Sequence, residues 1–131
     1  MEMQVLGRRA KEASKTLRLA STEAKNAFLQ DLSRLLLSEQ DGVLAANRQD
    51  LEEARQGGLS EAMLDRLLLD PKRLEGMARG LLRVAALPDP VGEIFEPATL
   101  PNGLRLYKQR VPLGVLGVIY ESRPDVTIDV A

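Results

Sequence analysis

Apolar positions recur at helical spacing through the first two thirds of the chain, and then the texture becomes strand-like. Leu6, Ala10, Ala13, Leu17 and Ala20 fall on one face of a first helix, with Lys and Arg on the other side. Ser21 or Thr22 caps a second helix with Glu23 in its first turn and a stripe of Ala24, Ala27, Phe28, Leu32, Leu35 and Leu36. Ser38 with Asp41 supplies the start of a third, carrying Val43, Leu44, Asn47, Leu51 and Ala54, and Gly57-Gly58 ends it. Ser60 begins a short fourth helix through Leu67. Asp70-Pro71 caps and opens a fifth, with the stripe Leu74, Met77, Ala78, Leu81, Val84 and Ala85. Leu87-Pro-Asp-Pro90 closes it, because a residue before proline is pushed out of the helical region. Leu and Ala at this spacing are the ordinary packing signal, so all five faces read as core.

Beyond Pro90, residues 93–100 and 104–110 are strand-like and flank Asn102-Gly103. Asn-Gly predicts a hairpin with a type I′ turn, which needs positive φ at both central residues. In the second arm Leu104 and Leu106 alternate with Arg105 and Tyr107, which predicts one covered face. An isolated hairpin is marginal in water, so this one is expected to lie on its own domain or on another subunit. Residues 111–120 then form an apolar run without polar alternation, the pattern of a strand buried on both faces. Glu121-Ser122-Arg123 is a charged turn, and Pro124 suits the first position of a helix. A buried strand running into a helix start is where open α/β sheets bind ligands. The fold class is therefore α/β: N-terminal helices, a hairpin, and the first strand of a parallel sheet that is incomplete.

Composition narrows the chemistry more than the fold. The 131 residues balance 18 basic against 19 acidic side chains, with no cysteine and no histidine. The even balance argues against nucleic acid and against an anionic membrane as partners. Disulfides, thiolate metal sites, cysteine nucleophiles and the commonest general base are all excluded within these residues. No signal peptide is visible and no apolar run approaches the ~20 residues that span a bilayer. The expectation is a cytoplasmic chain with no catalytic residue of its own and no metal site.

Two features at the strand end invite a functional reading. Gly114 and Gly117 lie inside the apolar run but match neither Gly-x-Gly-x-x-Gly nor a Walker motif. Close helix–strand packing explains them better than the approach of a cofactor. In Ser122-Arg123-Pro124-Asp125, backbone N–H groups at a helix start attract anions, and Arg123 adds a bidentate donor. The plainer alternative has Ser122 capping the helix, Asp125 complementing its dipole, and Arg123 pairing with Glu121 or Asp125. On these residues alone the plainer alternative is preferred.

The segment Val-Pro-Leu-Gly-Val-Leu-Gly-Val-Ile-Tyr-Glu-Ser-Arg-Pro-Asp-Val-Thr resembles the signature of γ-glutamyl phosphate reductase, or glutamate-5-semialdehyde dehydrogenase. That family lies within the aldehyde dehydrogenase superfamily. Val43-Leu-Ala-Ala-Asn47, Asp50-Leu51-Glu52, Leu64-Asp-Arg-Leu-Leu-Leu69 and Ala85-Ala-Leu-Pro-Asp-Pro-Val-Gly92 extend the resemblance over the whole chain in the family's order. The Tyr120-Glu-Ser-Arg-Pro124 turn separates this family from the wider superfamily, which usually has a Pro-Trp-Asn-type turn there.

The resemblance implies a Rossmann-like, aldehyde dehydrogenase-like sheet. Residues 1–131 would then be the N-terminal part of an NADP-binding domain: a helical part over 1–88, a hairpin over 92–110 serving oligomerisation, and the first core strand with the next helix start over 111–131. It implies NADPH-dependent reduction of L-glutamyl 5-phosphate to L-glutamate 5-semialdehyde and phosphate in proline biosynthesis, through a thioester on a cysteine. Ile119, Tyr120, Glu121 and Ser122 would lie along the nicotinamide end of NADPH/NADP, with Arg123 and Asp125 facing the substrate. A homo-oligomer through the hairpin and a glutamate 5-kinase are the implied partners. The chain departs from the family in lacking the cysteine, so these residues alone are expected to be inactive. It also carries Asp125 where the family often has Asn, and a carboxylate cannot donate the hydrogen bonds of an amide. Two alternatives remain at this stage: a non-catalytic helical or oligomerisation module derived from the family, and another member of the superfamily.

Overall fold

A computed structural model describes residues 2–131. Six helices and one two-stranded sheet follow in the order α1 (Met3–Leu17), α2 (Thr22–Ser38), α3 (Gln40–Gln56), α4 (Glu61–Leu67), α5 (Pro71–Ala85), β1 (Ile94–Thr99), β2 (Arg105–Gln109) and α6 (Pro124–Asp129). They fall into two compact units. One comprises Met1–Thr22 with Pro88–Gly117, and the other Glu23–Leu87 with Val118–Ala131.

The second unit holds the core. Leu36 of α2 and Leu74 and Ala78 of α5 are buried together, and Val43, Leu44, Leu69, Met77 and Ile128 pack around them. Leu74 is the deepest side chain, with 0% exposure. The expected stripes of α3 and α5 face inward, except that Val84 is exposed. In α2 the buried line is turned from the one predicted. Ser33 and Leu36 are buried, whereas Phe28 and Leu35 are exposed. This helix carries leucines around much of its circumference, and the line that packs is the one whose Ser33 hydroxyl can donate to the Ala78 carbonyl of α5 at 3.0 Å. The predicted cap at Ser38 is also corrected. Ser38 is the last residue of α2 and its hydroxyl donates back to the Leu35 carbonyl at 3.2 Å, while α3 starts after Glu39 without a side-chain cap.

Two devices set the placement of α5. Asp70 Oδ1 accepts from the Arg73 N–H at 2.7 Å, as the Asp-Pro start predicts, and Pro71 sits where no N–H is needed. Asn47 of α3 reaches the α4–α5 connection with both ends of its amide. Its Nδ2 donates to the Leu67 carbonyl at 2.8 Å, and its Oδ1 accepts from the Leu69 N–H at 2.7 Å. Asn47 is only 4% exposed, so this amide acts as an internal clamp on a chain reversal. The Arg73 guanidinium braces the same connection, bonding to the Leu68 carbonyl and pairing with Asp65.

The first unit contains α1 and the hairpin. The predicted stripe of α1 is not buried, and the helix ends at Leu17, before Ala20. β1 and β2 pair antiparallel, with Phe95 opposite Lys108 and Thr99 opposite Arg105. The register shifts between Phe95 and Ala98, where Pro97 has no N–H to give the ladder and Glu96 takes φ +50°. The turn is not the predicted type I′. Leu100 and Leu104 form the last bonded pair, the Gly103 N–H bonds the Leu100 carbonyl at 2.9 Å, and only Gly103 has positive φ. This is a three-residue loop: a type I turn followed by a left-handed glycine. Pro101 decides the matter, because its fixed φ suits the first central position of a type I turn. Leu104 and Leu106 are both exposed, so none of the described residues covers the face that the second arm is expected to bury.

Residues 111–120 are not a strand here. Their N–H and C=O groups make no backbone hydrogen bonds among the described residues, and Gly114 turns out of the extended region at φ +94°. Nor is the run covered: Leu113 is 88% and Ile119 102% exposed. A strand is defined by its neighbours, and a parallel sheet needs strands on either side with helices on both faces. None of those elements lies within these residues, so among the described residues the sheet is the antiparallel hairpin alone.

Candidate functional site

The predicted site residues fall on the approach to α6 and on its first turn. Ile119 projects fully from the chain, and the Tyr120 hydroxyl shares a hydrogen bond with Thr127 Oγ1 at 2.7 Å, tying the approach to the helix. Glu121 is exposed. Ser122 takes φ +53°, a left-handed conformation that costs a non-glycine residue about 1 kcal/mol and turns the chain sharply. This corrects the expected cap: Arg123, not Ser122, occupies the position before the helix, and no side chain caps it. Arg123 Nη2 lies 3.4 Å from Asp125 Oδ2, the pairing foreseen from the charges of the turn. Both side chains are substantially exposed, so the contact orients the guanidinium more than it stabilises the fold.

Ile128 anchors α6 by packing on the Leu74 core, which sets the helix beside α5. Between them, within the second unit, opens a cleft of ≈ 1140 Å³. Arg123 and Asp125 line it, so the structure brings the two predicted substrate-side residues into one concavity. Its floor is apolar, with Met77, Leu81 and Ile128 among the lining residues. Ile119, Tyr120, Glu121 and Ser122 do not line it.

Five further charged residues line the cleft, Asp65, Arg66, Arg73, Arg83 and Asp129, and the sequence reading gave none of them a role. Arg83 lies in the last turn of α5 and Asp129 at the end of α6. Gly76 and Gly80 sit on the Arg83 face of α5 and also line the cleft. A Cβ at Gly76 would meet nothing within 4 Å, and one at Gly80 only the Arg83 Nη2 at 4.0 Å. Glycine inside a helix is the poorer choice by about 1 kcal/mol against alanine. No packing contact in the structure calls for either one. That pair of unexplained helical glycines, spaced one turn apart, was the available sequence signal.

Among the described residues the backbone groups from Ile119 to Ser122 have no backbone partners, and the Ile119 side chain is exposed. Among the described residues no cluster of His, Cys, Asp or Glu is arranged to hold a metal ion, and no helix is long and apolar enough to cross a membrane.

No protein-family model matches the chain. Curated relatives do. The chain is 53% identical over all 131 residues to the γ-glutamyl phosphate reductase of Chloroflexus aurantiacus, and 51% identical to that of Moorella thermoacetica. It spans 31% of the length of each. The crystal structure of the γ-glutamyl phosphate reductase from Thermotoga maritima superposes with a TM-score of 0.88 at 40% identity, covering 94% of this chain and 30% of that one. The Saccharomyces cerevisiae enzyme superposes with a TM-score of 0.91 at 35% identity, covering 99% of this chain and 33% of that one. The chain is thus similar in sequence over all its residues, and in fold over nearly all of them, to about a third of each of these γ-glutamyl phosphate reductases.

Proposed function

We propose that this chain is the N-terminal part of an NADPH-dependent γ-glutamyl phosphate reductase, which converts L-glutamyl 5-phosphate to L-glutamate 5-semialdehyde and phosphate. The observation that carries the reading is the 53% identity maintained over every residue of the chain. Bound NADPH would supply the hydride. Ile119, Tyr120, Glu121 and Ser122 would lie along its nicotinamide end through their free backbone groups, and the strained turn at Ser122 would hold that edge in place. Arg123 and Asp125, at the mouth of the α5–α6 cleft, would face the acyl phosphate. Residues 111–120, unpaired here, would become the first strand of the parallel sheet once neighbouring strands are present. The chain has no cysteine, so the nucleophile must come from elsewhere in the enzyme and these residues alone do not reduce substrate.

The hairpin supports self-association as a second element of the same reading. Ile94, Leu104, Leu106 and Tyr107 are exposed on it, and a two-stranded ribbon of this kind gains stability by lying on another surface. A cytoplasmic location and a neighbouring glutamate 5-kinase, which would make the short-lived acyl phosphate, fit this activity.

The test is to join this chain to the remaining two thirds of the Chloroflexus aurantiacus relative, in place of that protein's equivalent segment. The joined protein should oxidise NADPH with L-glutamyl 5-phosphate in preference to NADH, and should neglect simple aldehydes. Turnover of simple aldehydes with no glutamyl phosphate activity would assign the chain to another branch of the superfamily.

A further inference from the structure

Among the described residues, three charged side chains lining the α5–α6 cleft have no partner: Arg66, Arg83 and Asp129. Arg73 is taken up by Asp65, and Arg123 by Asp125. Among the described residues, no salt bridge or side-chain hydrogen bond reaches Arg83 or Asp129, and the two do not pair with each other. Arg83 projects back along α5 so that its Nη2 lies over Gly80, 4.0 Å from where a Cβ would stand. Gly76, one turn further along, leaves the same face of the helix bare. Asp125 and Asp129 stand one turn apart on α6 and both line the cleft. Arg66 belongs to α4; on the α5 and α6 walls the concavity offers one unpaired guanidinium, Arg83, and one unpaired carboxylate, Asp129, over an apolar floor of Met77, Leu81 and Ile128 and beside two glycines that keep space clear.

A simple anion would use only the arginine, and a simple cation only the aspartate. A group that satisfies both is a zwitterion, with a carboxylate and an ammonium on one carbon. We propose that Arg83 and Asp129 bind the α-amino acid head of the substrate, Arg83 holding its α-carboxylate and Asp129 its α-ammonium. The reacting end is left near Arg123 and Asp125. This rests on the reductase reading and extends it, because it assigns the residues that distinguish an amino-acid acyl phosphate from other acyl phosphates and from plain aldehydes. Arg83 and Asp129 are specificity residues. They touch the substrate head and take no part in bond making.

The experiment uses the joined reductase described above, run with L-glutamate 5-semialdehyde, phosphate and NADP. Arg83→Gln and Asp129→Asn should each raise KM for the semialdehyde about tenfold or more, the loss of one charge-assisted hydrogen bond, with kcat changed less than about twofold. Both residues are on the surface, so neither change should affect folding. The same assay with 5-oxopentanoate, which keeps the carboxylate and lacks the ammonium, gives the discriminating readout. Asp129→Asn should leave its KM unchanged, whereas Arg83→Gln should still raise it. If the unsubstituted protein is active and both variants keep its KM, the head-group assignment is overturned while the reductase reading stands. If the unsubstituted protein is inactive, the reductase reading falls and this inference with it.

Discussion

Asn47 is the residue on which the placement of α5, and so of the cleft, most depends. Its amide makes two short hydrogen bonds to the α4–α5 connection, at 2.8 Å to the Leu67 carbonyl and 2.7 Å from the Leu69 N–H. Asn47→Ala removes both and leaves two half-buried backbone groups without a partner. At about 1 kcal/mol net for each bond, and about as much again for the orphaned groups, the loss is about 2–4 kcal/mol. With a urea slope of about 2 kcal/mol/M, the unfolding midpoint should fall by about 1–2 M. Circular dichroism of the helices during a urea titration reads this directly. Asn47→Asp should cost at least as much at neutral pH, because a carboxylate oxygen would face the Leu67 carbonyl. Part of that loss should return on acidification below about pH 4, where the protonated acid can donate again. An Asn47→Ala protein that unfolds within about 0.5 kcal/mol of the parent would show that the clamp does not hold the connection.

Leu74→Ala empties the centre of the Leu36–Ala78 cluster and should cost about 2–5 kcal/mol in the same titration; a change below about 1 kcal/mol would mean that the core lies elsewhere. Asp70→Ala removes the acceptor of the Arg73 N–H and should cost about 1 kcal/mol, with Asp70→Asn retaining most of it. Gly103→Ala forces a side chain onto a residue at φ +85° and should speed amide hydrogen exchange in β1 and β2 while sparing α5; unchanged exchange would contradict the three-residue turn.

What could be read from the sequence was whatever its neighbours along the chain decide. Asp70-Pro71 marks a helix start by local chemistry, and the structure places it there to the residue. The leucine-rich α2 offered more than one line, and only the position of the Ala78 carbonyl on another helix selects the one containing Ser33. Asn47 stood in the α3 stripe as a face residue, yet its partners lie in a different connection. Asn102-Gly103 pointed to the hairpin correctly and to its turn wrongly, because Pro101 outweighs the preference of the dipeptide. Residues 111–120 have the composition of a buried strand, and composition cannot supply the strands they would pair with. At the site, Arg123 and Asp125 were visible because they share a turn. Arg83 and Asp129 were not, since only the packing of Ile128 on the core brings α6 alongside α5.

The most direct measurement is phosphate-dependent reduction of NADP with L-glutamate 5-semialdehyde, made on this chain alone and on the chain joined to the remaining two thirds of the Chloroflexus aurantiacus relative. The chain alone should be inactive and the joined protein active at a rate within about tenfold of that relative, a difference of about 1.4 kcal/mol in barrier. A folded joined protein with no phosphate-dependent activity, or turnover by the 131 residues alone, would contradict it.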